Sequence, residues 1–210
     1  VPLGSGWGQV MHFIGRITAP TMCFFIAQGY RHTRSLPRYV TRLAVFALIS
    51  QLPFAYYNTA RAGLFPLNMI YTLTMGLLAI YFFDTIHDES KRWMAVILIM
   101  FLSLPADWSM IGVAFCLAFY ALEEDQTRLT AIIVAMAVML VSLQTLVEMT
   151  EGRTFVEAFS RSWFHSGIIV SLFLLRRYNG QRGGGSWGRW LFYAFYPLHL
   201  VVLALLRWRF

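Results

Sequence analysis

Long runs of apolar residues alternate with short polar stretches along the whole chain. A helix needs about 20 mostly apolar residues to cross a bilayer, and the pattern predicts eight candidate spans. They are residues 10–30, 37–58, 66–86, 92–106, 108–123, 129–147, 165–178 and 189–207. The fourth, fifth and seventh are short enough to be partly buried or re-entrant. The pattern therefore predicts an all-α, polytopic transmembrane helical bundle.

The composition excludes an ordinary soluble protein. Hydrophobic residues make up 58% of the chain and charged residues 13%, against roughly one half and one quarter in soluble domains. There is one apolar body without a shift in composition, which predicts a single transmembrane domain over residues 1–210. The net charge of +7 follows from the arginines of cytoplasmic loops. We therefore expect membrane lipids as partners and no nucleic acid.

The basic residues also predict an orientation. Lys and Arg in alternate loops number 11 on one side and 5 on the other, with Arg16 inside a span. The richer side should face the cytoplasm. The chain starts at Val1 without the features of a signal peptide. We expect that it is entered partway through a longer protein, with a further span upstream.

The last span carries an ionisable side chain near its middle. His199 follows Arg189 by ten residues, which is about 15 Å at helical rise. Tyr193, Tyr196 and His199 recur at helical spacing and share one face. An ionisable group at that depth indicates a functional site, and an imidazole can take or give a proton near pH 7. The alternative is a histidine that hydrogen-bonds a neighbouring helix for packing.

Three further polar side chains interrupt the apolar helices. Gly15-Arg16 breaks the first span, with Pro20 four residues later. An arginine there requires a partner or a water-filled cavity, or else it snorkels towards the interface. Gln51 and Asn68 bring amides to the second and third spans. Interhelical hydrogen bonding and contact with a substrate are the two alternatives for them.

A dense basic cluster follows the first span. It contains Arg31, His32, Arg34, Arg38 and Arg42. Topology and contact with anionic lipids are one explanation. Recognition of the phosphates of a cofactor is the other, since the planar guanidinium matches a phosphate well. Arg38 and Arg42 lie one helical turn apart, so they could form a joint anion site.

The remaining histidines and cysteines indicate no metal site. Cys23 and Cys116 lie in apolar stretches without metal-ligand spacing and are expected to be small buried hydrophobes. His12, His87 and His165 lie near span ends and are expected to be incidental. The sequence has no Ser-His-Asp order and no Walker loop.

Four stretches, in order along the chain, resemble the TraX family of membrane acetyltransferases, named for a protein linked to N-terminal acetylation of conjugative pilin. They are residues 14–20 running into Phe24-Phe25, residues 28–34 with Tyr39 and Arg42-Leu43, residues 49–54, and Phe192-Tyr193-Ala194-Phe195-Tyr196-Pro197-Leu198-His199-Leu200. Asn68, Thr72-Leu73 and Gly76-Leu77-Leu78 also fit. The stretches GRxxxP and FYxFYPLHL are specific when taken together.

The resemblance implies transfer of acetyl from acetyl-CoA, without a metal, to an amine or hydroxyl acceptor in the bacterial inner membrane. The acceptor would be a pilin N-terminus or an envelope glycan. Arg31, His32, Arg34, Arg38 and Arg42 would bind the acyl donor. His199 would act as base and Arg16 as a second catalytic residue. Asn68, Gln51 and Tyr196 would contact the substrate or its oxyanion.

The chain departs from the family at its start. Family members typically begin with a span that ends in an Asp-His pair, a candidate base, and this sequence starts just after that point. The alternative function is a non-enzymatic transporter or an assembly component of the conjugation or envelope machinery, with His199 and Arg16 along a path. Paired, interrupted halves typical of transporters are not visible in the sequence.

Overall fold

The computed structural model describes residues 6–59, 61, 63–178 and 186–209. Helices follow one another along these ranges. They are α1 Gly6–His32, α2 Leu36–Thr59, α3 Met69–Thr85, α4 Glu89–Leu102, α5 Ser109–Ala121, α6 Gln126–Thr150, α7 Phe155–Ser162, a 3-10 turn Trp163–Ser166, α8 Gly167–Leu175 and α9 Ser186–Arg209. The described ranges form no β-strand, only an isolated parallel bridge between Leu67 and Ala106.

The prediction of an all-α, polytopic membrane protein is confirmed. In the described chain four helical segments are long and apolar enough to cross a membrane: Trp7–His32, Leu36–Thr59, Gln126–Thr150 and Phe155–Leu175. Three shorter apolar helices accompany them, at Met69–Thr85, Ser109–Ala121 and Tyr193–Arg207. Outward-facing leucine, valine and phenylalanine side chains are common on the long helices, as the bilayer requires.

Polar caps start helical structure earlier than the apolar pattern predicts, as two regions show. The predicted span 92–106 is α4, which starts at Glu89, where Asp88 accepts a hydrogen bond from the Lys91 backbone N–H at 2.8 Å. The predicted span 165–178 is preceded by α7. A capping box of Thr154 and Glu157 starts that helix, so helical structure runs from Phe155 to Leu175.

Packing divides the chain into two compact units, and the single-domain interpretation stays a prediction. Unit 1 comprises Val1–Phe24 and Ala118–Tyr178. In it α6 packs against α7, the 3-10 turn and α8. A methyl group on Gly167 would collide with the carbonyl oxygen of Phe13, so the start of α8 touches the backbone of α1. The Phe24 ring meets the rings of Phe119 and Tyr178 edge-on.

Unit 2 comprises Phe25–Leu117 and Asn179–Phe210. In it α2 packs against α3 and α9, and α3 packs against α4. Small residues bring α3 close to α5: a Cβ on Gly76 would lie 2.5 Å from Cys116 Sγ, and one on Gly112 would lie 2.5 Å from Thr72 Cγ2. Cys23 and Cys116 are both buried, which confirms their prediction as small buried side chains.

Candidate functional site

The start of α3 is built by Asn68, which caps the helix. Its Oδ1 accepts from the backbone N–H groups of Ile70 and Tyr71 at 3.0 and 3.3 Å. Its Nδ2 donates to Ala47 O at 2.7 Å and to Gln51 Oε1 at 2.9 Å. Asn68 therefore joins α2 to the first turn of α3 while it is almost fully buried.

Gln51 completes this amide pair. Its Nε2 donates to Leu64 O and Pro66 O at 3.0 and 2.9 Å, and its Oε1 also accepts from the Asn68 backbone N–H at 3.2 Å. Both amides thus donate all their hydrogens to protein oxygens. This geometry matches the interhelical alternative. The role of Asn68 and Gln51 towards a substrate stays a prediction, and it requires one of these bonds to open.

Tyr196 ties α9 to the same end of α3. Its hydroxyl oxygen accepts from the Met69 backbone N–H at 3.2 Å. This N–H lies in the first turn of α3, where backbone N–H groups have no acceptor within their own helix. The Tyr196 ring meets the His199 ring edge-on, with centroids 5.3 Å apart. One turn earlier, Tyr193 stacks on Phe46 at 4.8 Å. The predicted grouping of Tyr196 with His199 is therefore found in the structure.

His199 is half-buried, and its backbone contact defines its tautomer. Its Nδ1 lies 3.0 Å from the Phe195 carbonyl oxygen. A carbonyl oxygen only accepts, so Nδ1 carries the hydrogen and the neutral ring has its lone pair on Nε2. The ring also stacks on Phe195 with centroids 5.1 Å apart. This tautomer leaves Nε2 able to accept a proton, while the catalytic role of His199 stays a prediction.

The basic cluster lies where α1 ends and α2 begins. The side chains of Arg31, His32, Arg34 and Arg38 are exposed. Arg42 is half-buried, and its guanidinium lies over the Tyr39 ring, 5.5 Å from the centroid. Tyr39 packs against Gly29, where a Cβ would lie 2.5 Å from its hydroxyl oxygen. The structure thus brings the predicted donor-binding residues to one end of unit 2, with one guanidinium held by an aromatic ring.

Arg16 belongs to unit 1, where it forms a group with His12, Phe164 and His165, here called the Phe164 cluster. The Arg16 guanidinium lies 5.3 Å from the centroid of the Phe164 ring. The ring of His12 approaches the same phenylalanine at 5.4 Å, and the ring of His165 stacks on it at 4.3 Å. One phenylalanine is therefore surrounded by a guanidinium and two imidazoles.

His165, which was expected to be incidental, lies in this cluster. Only 5% of its surface is exposed, and its Nδ1 is buried without a hydrogen-bond partner in the described part of the chain. The sequence did contain a signal, because His12 and Arg16 are four residues apart and share a helix face. His165 reaches them through the fold, which the spacing does not reveal.

A buried carboxylate in unit 1 was also missed. Glu148, 6% exposed, forms ion pairs with Arg153 and Arg161, each at 2.8 Å. Gln144 donates to its other oxygen at 3.0 Å. In the loop, a hydrogen bond to Glu151 raises the pKa of Arg153, and the charge of Glu148 adds to this. Arg161, which the sequence-based count placed in a loop, thus joins α7 to α6, and Arg153 joins the intervening loop to the same carboxylate.

The fold and these sites define a polytopic helical membrane protein with arginine, histidine and glutamate set into its apolar helices. The chain matches the family described as TraX protein over residues 5–207, and it belongs to the TraX family. It is 28% identical over 211 residues to the probable fimbrial assembly protein FimC, serogroup H1, of Dichelobacter nodosus, across 95% of this chain and 84% of that protein. No solved structure matches it.

Proposed function

We propose that this protein is an integral membrane acetyltransferase, which moves acetyl from acetyl-CoA to an amine or hydroxyl during the assembly of pili or of the cell envelope. Two comparisons support the setting: membership of the TraX family and likeness to a protein named for fimbrial assembly. The observation that carries the proposal is the orientation of His199. Its Nδ1 is bound to Phe195 O, which leaves Nε2 as the base.

The donor binds at the basic cluster. Guanidinium groups pair with phosphate oxygens through two parallel N–H···O bonds, and Arg34 and Arg38 are exposed for this. Arg42 is oriented by the Tyr39 ring. The cluster faces the cytoplasm of a bacterial inner membrane under the positive-inside rule, and that is the compartment that holds acetyl-CoA.

The transfer step uses His199 and Tyr196. His199 Nε2 takes a proton from the acceptor amine or hydroxyl as the acceptor nitrogen or oxygen attacks the thioester carbonyl carbon. The C–S bond breaks, and the CoA thiolate leaves with the proton that the imidazolium returns. Tyr196 accepts from Met69 N–H through its oxygen, so its own O–H can donate to the developing oxyanion. The acceptor is a pilin N-terminus or an envelope glycan.

The test is loss of the thioester from labelled acetyl-CoA, measured with the purified protein in detergent and with membrane extract as the source of acceptor. His199→Gln removes the base, and we expect turnover to fall about 10²–10⁴-fold. His87→Gln is the matched control, because His87 is exposed between α3 and α4. Equal turnover in folded His199→Gln and wild-type protein would refute the role of His199.

The second candidate is a non-enzymatic assembly component, which the printed name of the Dichelobacter nodosus relative favours. Binding of acetyl-CoA separates the two functions, since an acetyltransferase requires it. If labelled acetyl-CoA neither binds nor reacts, and the protein still associates with pilus subunits in the membrane, the assembly function replaces the enzymatic one.

A further inference from the structure

Helix α7 lies at the level of one membrane edge, and contacts within unit 1 fix that level. After α8, the exposed Arg176 donates to Thr130 Oγ1 of α6 at 2.8 Å. Charged side chains are excluded from hydrocarbon, so this contact marks one edge. Glu148 follows Thr130 by 18 residues along α6, or about 27 Å, and Arg161 of α7 pairs with it. A hydrocarbon core is about 30 Å thick, so Arg161 lies close to the opposite edge.

The apolar side chains of α7 form an exposed face beside the packed one. Ala158 and Ser162 are buried and form the narrow face that packs within unit 1. Phe155, Val156 and Phe159 are exposed, and at about 100° per residue they form one continuous apolar face. The rings of Phe155 and Phe159 stack, with centroids 6.1 Å apart. An exposed apolar face of this kind marks a contact with a membrane or a partner.

The remaining side of α7 is polar. Glu157 and Ser160 are exposed there, and Arg161 forms its ion pair with Glu148 at 2.8 Å. Acyl chains offer no hydrogen-bond partner to such groups, so this side faces headgroups or water. A helix with one apolar face and one charged face fits the membrane interface.

The short length of the apolar helix after α7 agrees with this placement. The 3-10 turn Trp163–Ser166 has four residues and α8 Gly167–Leu175 has nine, which together rise about 22 Å. An interfacial helix lies about 5–10 Å into the boundary of headgroups and acyl chains, and the sum is close to the hydrocarbon thickness of about 30 Å. The whole segment Phe155–Leu175 is long enough to cross, but an upright α7 would place the exposed Ser160 in the acyl chains.

We propose that α7 is an interfacial helix, which lies along the membrane surface opposite Arg176 and binds phospholipid through Phe155, Val156 and Phe159. These three side chains contact acyl chains just below the headgroups, while Glu157 faces water. The placement is independent of acetyl transfer, so it can be measured without acetyl-CoA.

The charges around α7 indicate that the acyl chains, and not an anionic headgroup, are recognised. Two guanidinium groups, of Arg153 and Arg161, lie among the carboxylates of Glu148, Glu151 and Glu157. Attraction to anionic lipids requires an excess of cations on the helix, which is absent among these five residues. A zwitterionic bilayer should therefore be sufficient.

The test uses the whole protein in phosphatidylcholine liposomes, with nitroxide spin labels on single introduced cysteines. Relaxation by oxygen, which concentrates in lipid, and by a neutral nickel chelate, which stays in water, gives the depth of each label. Labels on Phe155→Cys and Phe159→Cys report the apolar face, and a label on Glu157→Cys reports the polar face. All three positions are exposed, so labelling leaves the packed face unchanged.

Four native positions provide the controls. Val138 is exposed near the middle of α6, so a label on Val138→Cys marks the hydrocarbon centre. Glu124 is exposed in the loop before α6, so a label on Glu124→Cys marks water. Cys23 and Cys116 are buried, and wild-type protein taken through the same labelling gives their background.

We expect the labels on Phe155→Cys and Phe159→Cys to lie at equal depth, about 5–10 Å below the lipid phosphates. The label on Glu157→Cys should be as accessible to nickel as the label on Glu124→Cys. A difference of about 6 Å between the two phenylalanine positions, four residues apart at helical rise, would show that α7 stands upright and would overturn the proposal.

Two further results would also refute lipid binding by this face. Equal access of nickel to the labels on Phe159→Cys and Glu157→Cys would place the apolar face in water. Protection of the label on Phe159→Cys from both oxygen and nickel would show that another protein chain covers it. Liposomes with added phosphatidylglycerol test the lipid class: unchanged depths support acyl-chain contact, and depths reached only with that lipid would contradict it.

Discussion

The side chains of Gln51 and Asn68 are joined by a hydrogen bond of 2.9 Å, and each donates both of its amide hydrogens to protein oxygens. The pair thereby fixes the loop after α2 and the first turn of α3 in one arrangement. Tyr196 contacts that same first turn through Met69. The amide pair thus positions the turn that holds Tyr196, and Tyr196 contacts His199.

The amide pair should contribute measurably to stability. Asn68→Ala removes two donated bonds and the cap of α3, and leaves the N–H groups of Ile70 and Tyr71 without their acceptor. We expect a loss of about 2–4 kcal/mol in the free energy of unfolding, measured by unfolding in detergent. Asn58→Ala is the control, because Asn58 makes one bond to Phe54 O and should cost about 1 kcal/mol or less. Equal losses in both variants would contradict this account.

The approach of α8 to α1 should tolerate no side chain. Gly167→Ala places a methyl group against the Phe13 carbonyl oxygen, and backbone atoms cannot rotate away. We expect about 1–3 kcal/mol of destabilisation. Gly15→Ala provides the opposite control, since a Cβ there meets nothing within 4 Å. That change should stabilise by up to about 1 kcal/mol through helix propensity. A Gly167→Ala protein as stable as wild type would show that the helices can separate.

The helices could be predicted from the sequence because a bilayer imposes a length on apolar runs. The apolar pattern missed the helical segment 155–164, where Glu157 and Arg161 interrupt the apolar residues. Glu157 belongs to the capping box, and Arg161 is paired with Glu148. Polar side chains that are paired within a cap or with a neighbouring helix are compatible with a helix, but an apolar window counts them only as interruptions.

The site was predictable where its residues are close in sequence. Helical spacing places Tyr196 beside His199, and the structure has them in contact. The hydrogen bond from the Met69 N–H to the Tyr196 oxygen joins residues more than 100 positions apart. The unpartnered Nδ1 of His165 depends on burial. Such contacts are set by helix packing, which periodicity alone does not determine.

The carboxylate of Glu148 should contribute more to the free energy of unfolding than the carboxylate of Glu151. Glu148→Gln leaves Arg153 and Arg161 without the charge that both ion pairs share. Because the arginines are about one-third exposed, water offsets part of the cost, and we expect a loss of about 1–3 kcal/mol rather than that of a fully buried pair. Glu151→Gln removes a carboxylate that is 56% exposed and should cost less than about 0.5 kcal/mol. Thermal unfolding of both variants in detergent checks the difference, and the reverse order would contradict it.

The Tyr196 hydroxyl should affect both the stability of the protein and the rate of the proposed acetyl transfer, and the two effects can be measured separately. Tyr196→Phe keeps the ring against His199 but removes the oxygen that accepts from Met69 N–H. We expect about 1 kcal/mol of destabilisation from the unpaired first-turn donor. Loss of the oxyanion donor should lower kcat about 10²-fold or more, with little change in KM. If stability falls and kcat does not, Tyr196 only positions α9.

The exposed arginines should act on donor affinity and not on chemistry. Replacing Arg34 and Arg38 together by Gln removes two exposed cations at the end of unit 2 that holds Arg42 over Tyr39. We expect the KM for acetyl-CoA to rise about tenfold or more with kcat nearly unchanged, because these groups bind phosphates equally in the ground and transition states. The effect should shrink as salt is added, since exposed charges are screened.

Lys91→Gln removes an exposed charge on the side predicted to be cytoplasmic and should leave KM unchanged. If Lys91→Gln raises KM as much as the arginine pair does, the donor responds to net charge and the cluster is not its binding site.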